Sequence, residues 1–108
     1  MLRLLIVDDE VIVRKWLTLV FQPVDKEFVV VAAAANGHEA LVICRIHAID
    51  IVITDIIMPE MDGMSFIQAL REFNLHTQAI ILSNHADFSG SKGNVFRSSS
   101  IFAERRNY

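Results

Sequence analysis

Short apolar runs alternate with amphipathic stretches along the chain. "LRLLIV" (Leu2 to Val7) is nearly continuous hydrophobic sequence, the pattern of a strand covered on both faces. After the acidic "DDE" comes "VIVRKWLTLVF". Here Val13, Leu17 and Val20 share one helical stripe, Arg14, Lys15 and Thr18 lie off it, and Trp16 lies beside it. Pro23 ends that helix. "FVVVAAA" from Phe28 predicts a second strand and Asn36-Gly37 a turn. "HEALVICRI" predicts a helix with Ala40, Ile43 and Cys44 inward, and "IDIVIT" a third strand. "MSFIQALREF" is amphipathic with Phe66, Ile67 and Leu70 on one side, and "QAIIL" is a fourth strand ending at Ser83. The order βαβαβαβ, with helix-length crossovers and no hairpin signal, predicts an α/β fold: a doubly wound parallel sheet with helices on both faces.

Composition narrows the class. A length of 108 residues fits one domain, and 53% hydrophobic residues argues against disorder. No apolar run approaches the roughly 20 residues that a membrane-spanning helix needs. Acids follow the first apolar run directly, so the N-terminus reads as neither a signal nor a transit peptide. Cys44 is the single cysteine, which rules out an internal disulfide and fits a reducing, cytoplasmic setting. The net charge of −3 comes with no basic tract, so direct nucleic-acid binding is not expected.

Candidate chemistry lies at the strand ends. In open parallel sheets, ligands bind beyond the carboxyl ends of the strands. Strand 1 ends in Asp8-Asp9, and strand 3, within "DIVITDIIMPEMDG", ends in Asp55. If the two strands are neighbours, three carboxylates converge and repel unless a cation compensates. Hard oxygen ligands suit Mg²⁺, and a rigidly placed carboxylate can act as ligand or nucleophile. A plainer reading makes Asp9 or Glu10 a helix cap, and "MPEMDG" a turn whose Asp62-Gly63 supplies a positive φ.

"LLIVDDE", "DIVITDIIMPEMDG" and "AIILS" together resemble the receiver domain of bacterial two-component response regulators, above all receivers attached to AraC-type DNA-binding domains. The resemblance covers residues 2 to 88. It implies a flavodoxin-like, CheY-like three-layer sandwich with strand order 2-1-3-4-5. It implies that Asp55 accepts a phosphoryl group from a partner histidine kinase. Asp8, Asp9, Asp55 and the backbone carbonyl of Ile57 would hold Mg²⁺, and Ser83 would hydrogen-bond the phosphoryl oxygens. The added charge would then bias a two-state element near strands 4 and 5.

The resemblance fails in "SGSKGNVFRSSSIFAERRNY". Apolar residues number eight of 26 after Leu82, and the charge turns positive: four Lys/Arg against two Asp/Glu, where residues 1–82 hold six against eleven. Gly90, Gly93 and Ser98 to Ser100 oppose a fourth helix, and no residues remain for a fifth. "SIFAE" offers a short fifth strand, with Phe102 at the switch aromatic's position and Arg105 at that of the family lysine; Arg106 replaces the proline that follows it. Arg105 is the stand-in for that lysine, although its planar fork differs from an ammonium. Lys92 lies in the Gly/Ser stretch and is a poorer substitute. The segment reads as a truncated or altered end of a single domain, 1–108, without an output DNA-binding domain. A poorly covered C-terminal edge would favour a homodimer.

The four histidines show no metal spacing, and only His85, two residues past Ser83, lies near the expected site. Two other readings remain. One is a degenerate receiver acting only by binding a partner. The other is a different α/β class, a flavodoxin-like cofactor binder or an aspartyl-phosphate hydrolase. Against the last, strand 1 leads into acids instead of a phosphate-binding loop, and Ile57 stands where such hydrolases place a second acid.

Overall fold

Four successive residues of the first strand, Leu4 to Val7, are buried, so both faces of that strand are covered. The computed structural model describes residues 1–21, 27–84 and 99–103. In chain order these form β1 (Leu2–Val7), α1 (Val11–Val20), β2 (Phe28–Ala34), α2 (Gly37–Ile46), β3 (Ile51–Asp55), α3 (Gly63–Arg71), β4 (Gln78–Asn84) and β5 (Ser99–Ala103). The strands make one sheet in the order β2-β1-β3-β4-β5. β1 pairs in parallel with β2 and β3, and β3 in parallel with β4. The hydrophobic pattern anticipated the parallel pairing, and the resemblance anticipated the strand order.

β5 takes the expected place beside β4 but runs antiparallel to it, with Ile80 opposite Ala103 and Asn84 opposite Ser99. The expectation of a wholly parallel sheet is corrected at this strand. A parallel return must cross the sheet face, usually as a helix with an apolar stripe to hold it there. The Gly- and Ser-rich sequence ahead of β5 supplies no such stripe, whereas an antiparallel return needs only a reversal of the chain. The doubtful fourth helix and the end of the chain lie outside the described residues.

One side of the sheet carries the main core. Leu5, Val7, Val52, Ala79 and Ile81 meet Ala40 and Cys44 of α2 and Phe66, Ile67 and Leu70 of α3. Burial among these residues pushes the Cys44 thiol up to about 11, so it packs as a small apolar group. On the other side, α1 lies over β1 and β2. Leu17 is buried there and Val13 half-buried, but Val20, expected on the same stripe, is 52% exposed. Val20 is the last helical residue and borders an open groove, not the closed core. Asn36-Gly37, expected as a turn, starts α2 instead: the Asn36 side chain accepts the Glu39 N–H, and Glu39 in return accepts the Ala35 N–H.

Candidate functional site

β1 and β3 are neighbours, and their register places Val7 opposite Thr54. The next residues, Asp8 and Asp55, therefore emerge side by side at the carboxyl edge of the sheet. With Asp9, they bring one carboxylate oxygen each to within 4.8 Å of one another. Asp8 is 5% exposed, Asp55 is half-buried and Asp9 is exposed. The Asp8 carboxylate accepts the Glu10 N–H at 2.9 Å, and Asp55 Oδ1 accepts the Ile56 N–H at 2.8 Å.

The cluster is electrostatically uncomfortable. Burial pushes the Asp8 carboxyl up to about 6; the Glu10 N–H bond opposes that rise, and the charges of Asp55, Asp9 and Glu10 add to it. A divalent cation among three such oxygens would relieve both the repulsion and the cost of burial. The donor set fits a hard cation such as Mg²⁺.

The acids after β1 are not helix caps. Glu10 holds the N-cap position of α1 with extended backbone, makes no side-chain cap bond, and the first turn contains no acid. Asp62 shows what capping looks like in this chain. Its Oδ1 accepts the Ser65 N–H at 2.8 Å at the start of α3, which holds the carboxyl below its usual range.

Gly63 was expected to help supply a positive φ in the loop after β3, but that conformation belongs to Glu60 at φ 70. There the Met61 N–H donates to the Pro59 carbonyl at 2.8 Å, closing a tight turn. Gly63 is needed for space. Its N–H donates to the Ile56 carbonyl at 2.7 Å, and a Cβ at this position would lie 2.2 Å from the Asp55 carbonyl oxygen. The same Asp55 oxygen accepts Thr54 Oγ1, from a fully buried side chain. Sequence reading missed Thr54, Gly63's packing role and Arg14. The signal available for Gly63 was its position eight residues past the acid, at the first turn of a helix that must approach the strand closely.

Ile57 lies in this loop with its residue surface 67% exposed. Ser83 stands one position past Leu82, the β4 partner of Asp55, so its backbone is at the same end of the sheet. Phe102 lies in β5 opposite Ile81. Arg105, Lys92 and His85 fall outside the described residues.

This fold, with three acids at the ends of β1 and β3, defines the receiver class, and comparison with known proteins agrees. The response regulator receiver domain family matches residues 4–94, and the chain belongs to it. A response regulatory protein of Staphylococcus epidermidis is 37% identical over 95 residues, 88% of this chain. The match takes in 37% of that relative, so the chain spans little more than a third of its length. A two-component transcriptional regulator AraC from Clostridium phytofermentans has a similar structure, with a TM-score of 0.73 and 29% identity over 83% of this chain and 73% of that one. The CheY of a CheX–CheY–BeF₃–Mg²⁺ complex from Borrelia burgdorferi superposes with a TM-score of 0.70 at 38% identity, covering 76% of this chain and 61% of that one. Among the described residues, no helix is long and apolar enough to cross a membrane.

Proposed function

We propose that the chain is a cytoplasmic phosphoacceptor switch, in which Asp55 receives a phosphoryl group from the phosphohistidine of a sensor kinase. The observation that carries this reading is the convergence of Asp8, Asp9 and Asp55 at one sheet edge. An Asp55 carboxylate oxygen attacks phosphorus in line. The new O–P bond forms an acyl phosphate as the P–N bond breaks, and the imidazole, already protonated on its other ring nitrogen, leaves as the neutral base. Asp8, Asp9, Asp55 and the Ile57 carbonyl would hold Mg²⁺, which would neutralise charge on the phosphoryl oxygens. Ser83 would donate to one of those oxygens, and Arg105 would take the place of the family lysine. The beryllofluoride and Mg²⁺ named with the Borrelia protein support this assignment by analogy. An AraC-type DNA-binding output in a longer protein would make the switch a transcriptional one, consistent with the Clostridium regulator.

The antiparallel β5 favours a second reading, a receiver-shaped module that works only by partner binding. One experiment separates the two: intact mass after incubation with acetyl phosphate and Mg²⁺, for this chain and for Asp55→Asn. A gain of one phosphoryl group that Asp55→Asn abolishes supports the phosphoacceptor. No gain in the folded protein discards it and leaves the binding module. β5 also ends the strand order, so a second copy could pair along it. Light scattering should then show mass rising with concentration, and a constant monomer mass would rule this pairing out.

A further inference from the structure

The N-terminal half of α1 contains an arginine that the phosphoacceptor reading leaves unused. Arg14 sits four residues past the N-cap Glu10, and helical side chains lean toward the N-terminus of their helix. Its Nη1 donates to the main-chain carbonyl of Asp8 at 2.7 Å. A cation this near the start of a helix works against the positive end of the helix dipole, so local preference does not explain its place.

The Asp8 carbonyl belongs to the peptide joining Asp8 to Asp9, so one bond constrains both acids. Two further bonds hold the same point. The Asp8 N–H donates to the carbonyl of Ala34 at 3.1 Å, and the Asp8 carboxylate accepts the Glu10 N–H. Asp8 is thereby tied to the end of β2, to the start of α1 and, through Arg14, to the body of α1.

We propose that Arg14 is a positioning residue for the acid cluster, fixing the Asp8–Asp9 peptide so that both carboxylates meet Asp55 around one divalent cation. This rests on reading the cluster as a cation site. Arg14 acts through the main chain and not as a counter-charge, because its guanidinium reaches the carbonyl of Asp8 and not the carboxylate. Its reach and planar fork suit that task, and a lysine offers neither in the same form. Loss of a group that orients a metal's ligands from behind typically weakens metal binding by about 10- to 100-fold.

The test uses Mn²⁺ as the probe, with binding followed by loss of the free-ion electron paramagnetic resonance signal and no phosphodonor present. The chain is compared with Asp8→Asn, Arg14→Met, Arg14→Gln and Arg14→Lys, and circular dichroism reports folding and thermal midpoint. Arg14→Met should bind Mn²⁺ about tenfold more weakly while remaining folded, and Arg14→Lys should recover part of the loss. Unchanged Mn²⁺ affinity in Arg14→Met, whatever its thermal midpoint, overturns the proposal. Should Arg14→Met fail to fold, Arg14→Gln decides by the same criterion. If the unaltered chain binds no Mn²⁺, or Asp8→Asn binds it equally well, the cation-site reading itself falls, and the role of Arg14 falls with it.

Discussion

The two faces of the sheet are built from alternate residues of the same strands, yet they end up differently packed. On one face Val52 and Ala79 lie beneath α2 and α3, and Phe66 and Leu70 are fully buried against them. On the other, Ile53, Ile80 and Leu82 line an apolar groove of about 330 Å³ with Trp16, Leu17, Val20 and Phe21. Trp16 is 60% exposed there, while α1 shelters β1 and β2. A strand alternates its side chains regardless of what lies above it, so its apolar residues do not reveal whether a helix will cover them. The acid cluster stands at the carboxyl edge where the two faces meet, held by α1 on one side and by the loop into α3 on the other.

Truncating a residue on the closed face should have the largest effect. Phe66→Ala should lose about 3–5 kcal/mol in urea unfolding, from lost transfer energy plus an unfilled cavity. A loss below about 1 kcal/mol would mean this face is no better packed than the groove. Gly63→Ala should follow at about 1–3 kcal/mol, because the added methyl must displace the Asp55 backbone. Because the displaced backbone carries the Asp55 carboxylate, it should also slow phosphorylation by acetyl phosphate, which a loss of α3 packing alone would not do.

The acid cluster should give an effect of opposite sign. The Asp8 carboxyl sits at about 6 in the fold against 3.8 ordinarily, so the folded state binds its proton more tightly than the unfolded state does. Its contribution favours folding at low pH and is lost as pH rises from about 4 through about 6. Without divalent cations, Asp8→Asn should therefore be more stable than the unaltered chain at pH 7 by up to about 3 kcal/mol, with the advantage largely gone near pH 4. Denaturant unfolding at the two pH values checks the sign, and a variant less stable at pH 7 would contradict it. Trp16→Ala on the open face should be smallest, within about 0.5 kcal/mol in the same urea experiment. A larger loss would show that the groove contributes real packing.

Much of this was readable from spacing alone. Leu4 to Val7 form a short continuous apolar run of the length and kind that fits a doubly covered strand, and Phe66, Ile67 and Leu70 share a helical face that is buried as expected. Asp8, Asp9 and Asp55 were legible as a group because two neighbouring parallel strands must deliver their next residues to the same edge. Val20 was misjudged because a stripe records periodicity and not where the helix leaves the sheet. The direction of β5 was misjudged because five residues of β-forming sequence pair equally well either way, and the connection decides between them.

Local periodicity and the chemistry of single residues already specify the main elements, their order along the chain and which acids end which strands. Tertiary structure alone decided that Asp8 is buried and Asp9 exposed, that Glu60 and not Gly63 takes the positive φ, and that Arg14 bonds the Asp8 carbonyl. The burial of Asp8 and the Arg14 bond depend on how separate elements meet, and the Glu60 conformation on how the loop closes between β3 and α3. Periodicity along one element has no means of encoding them.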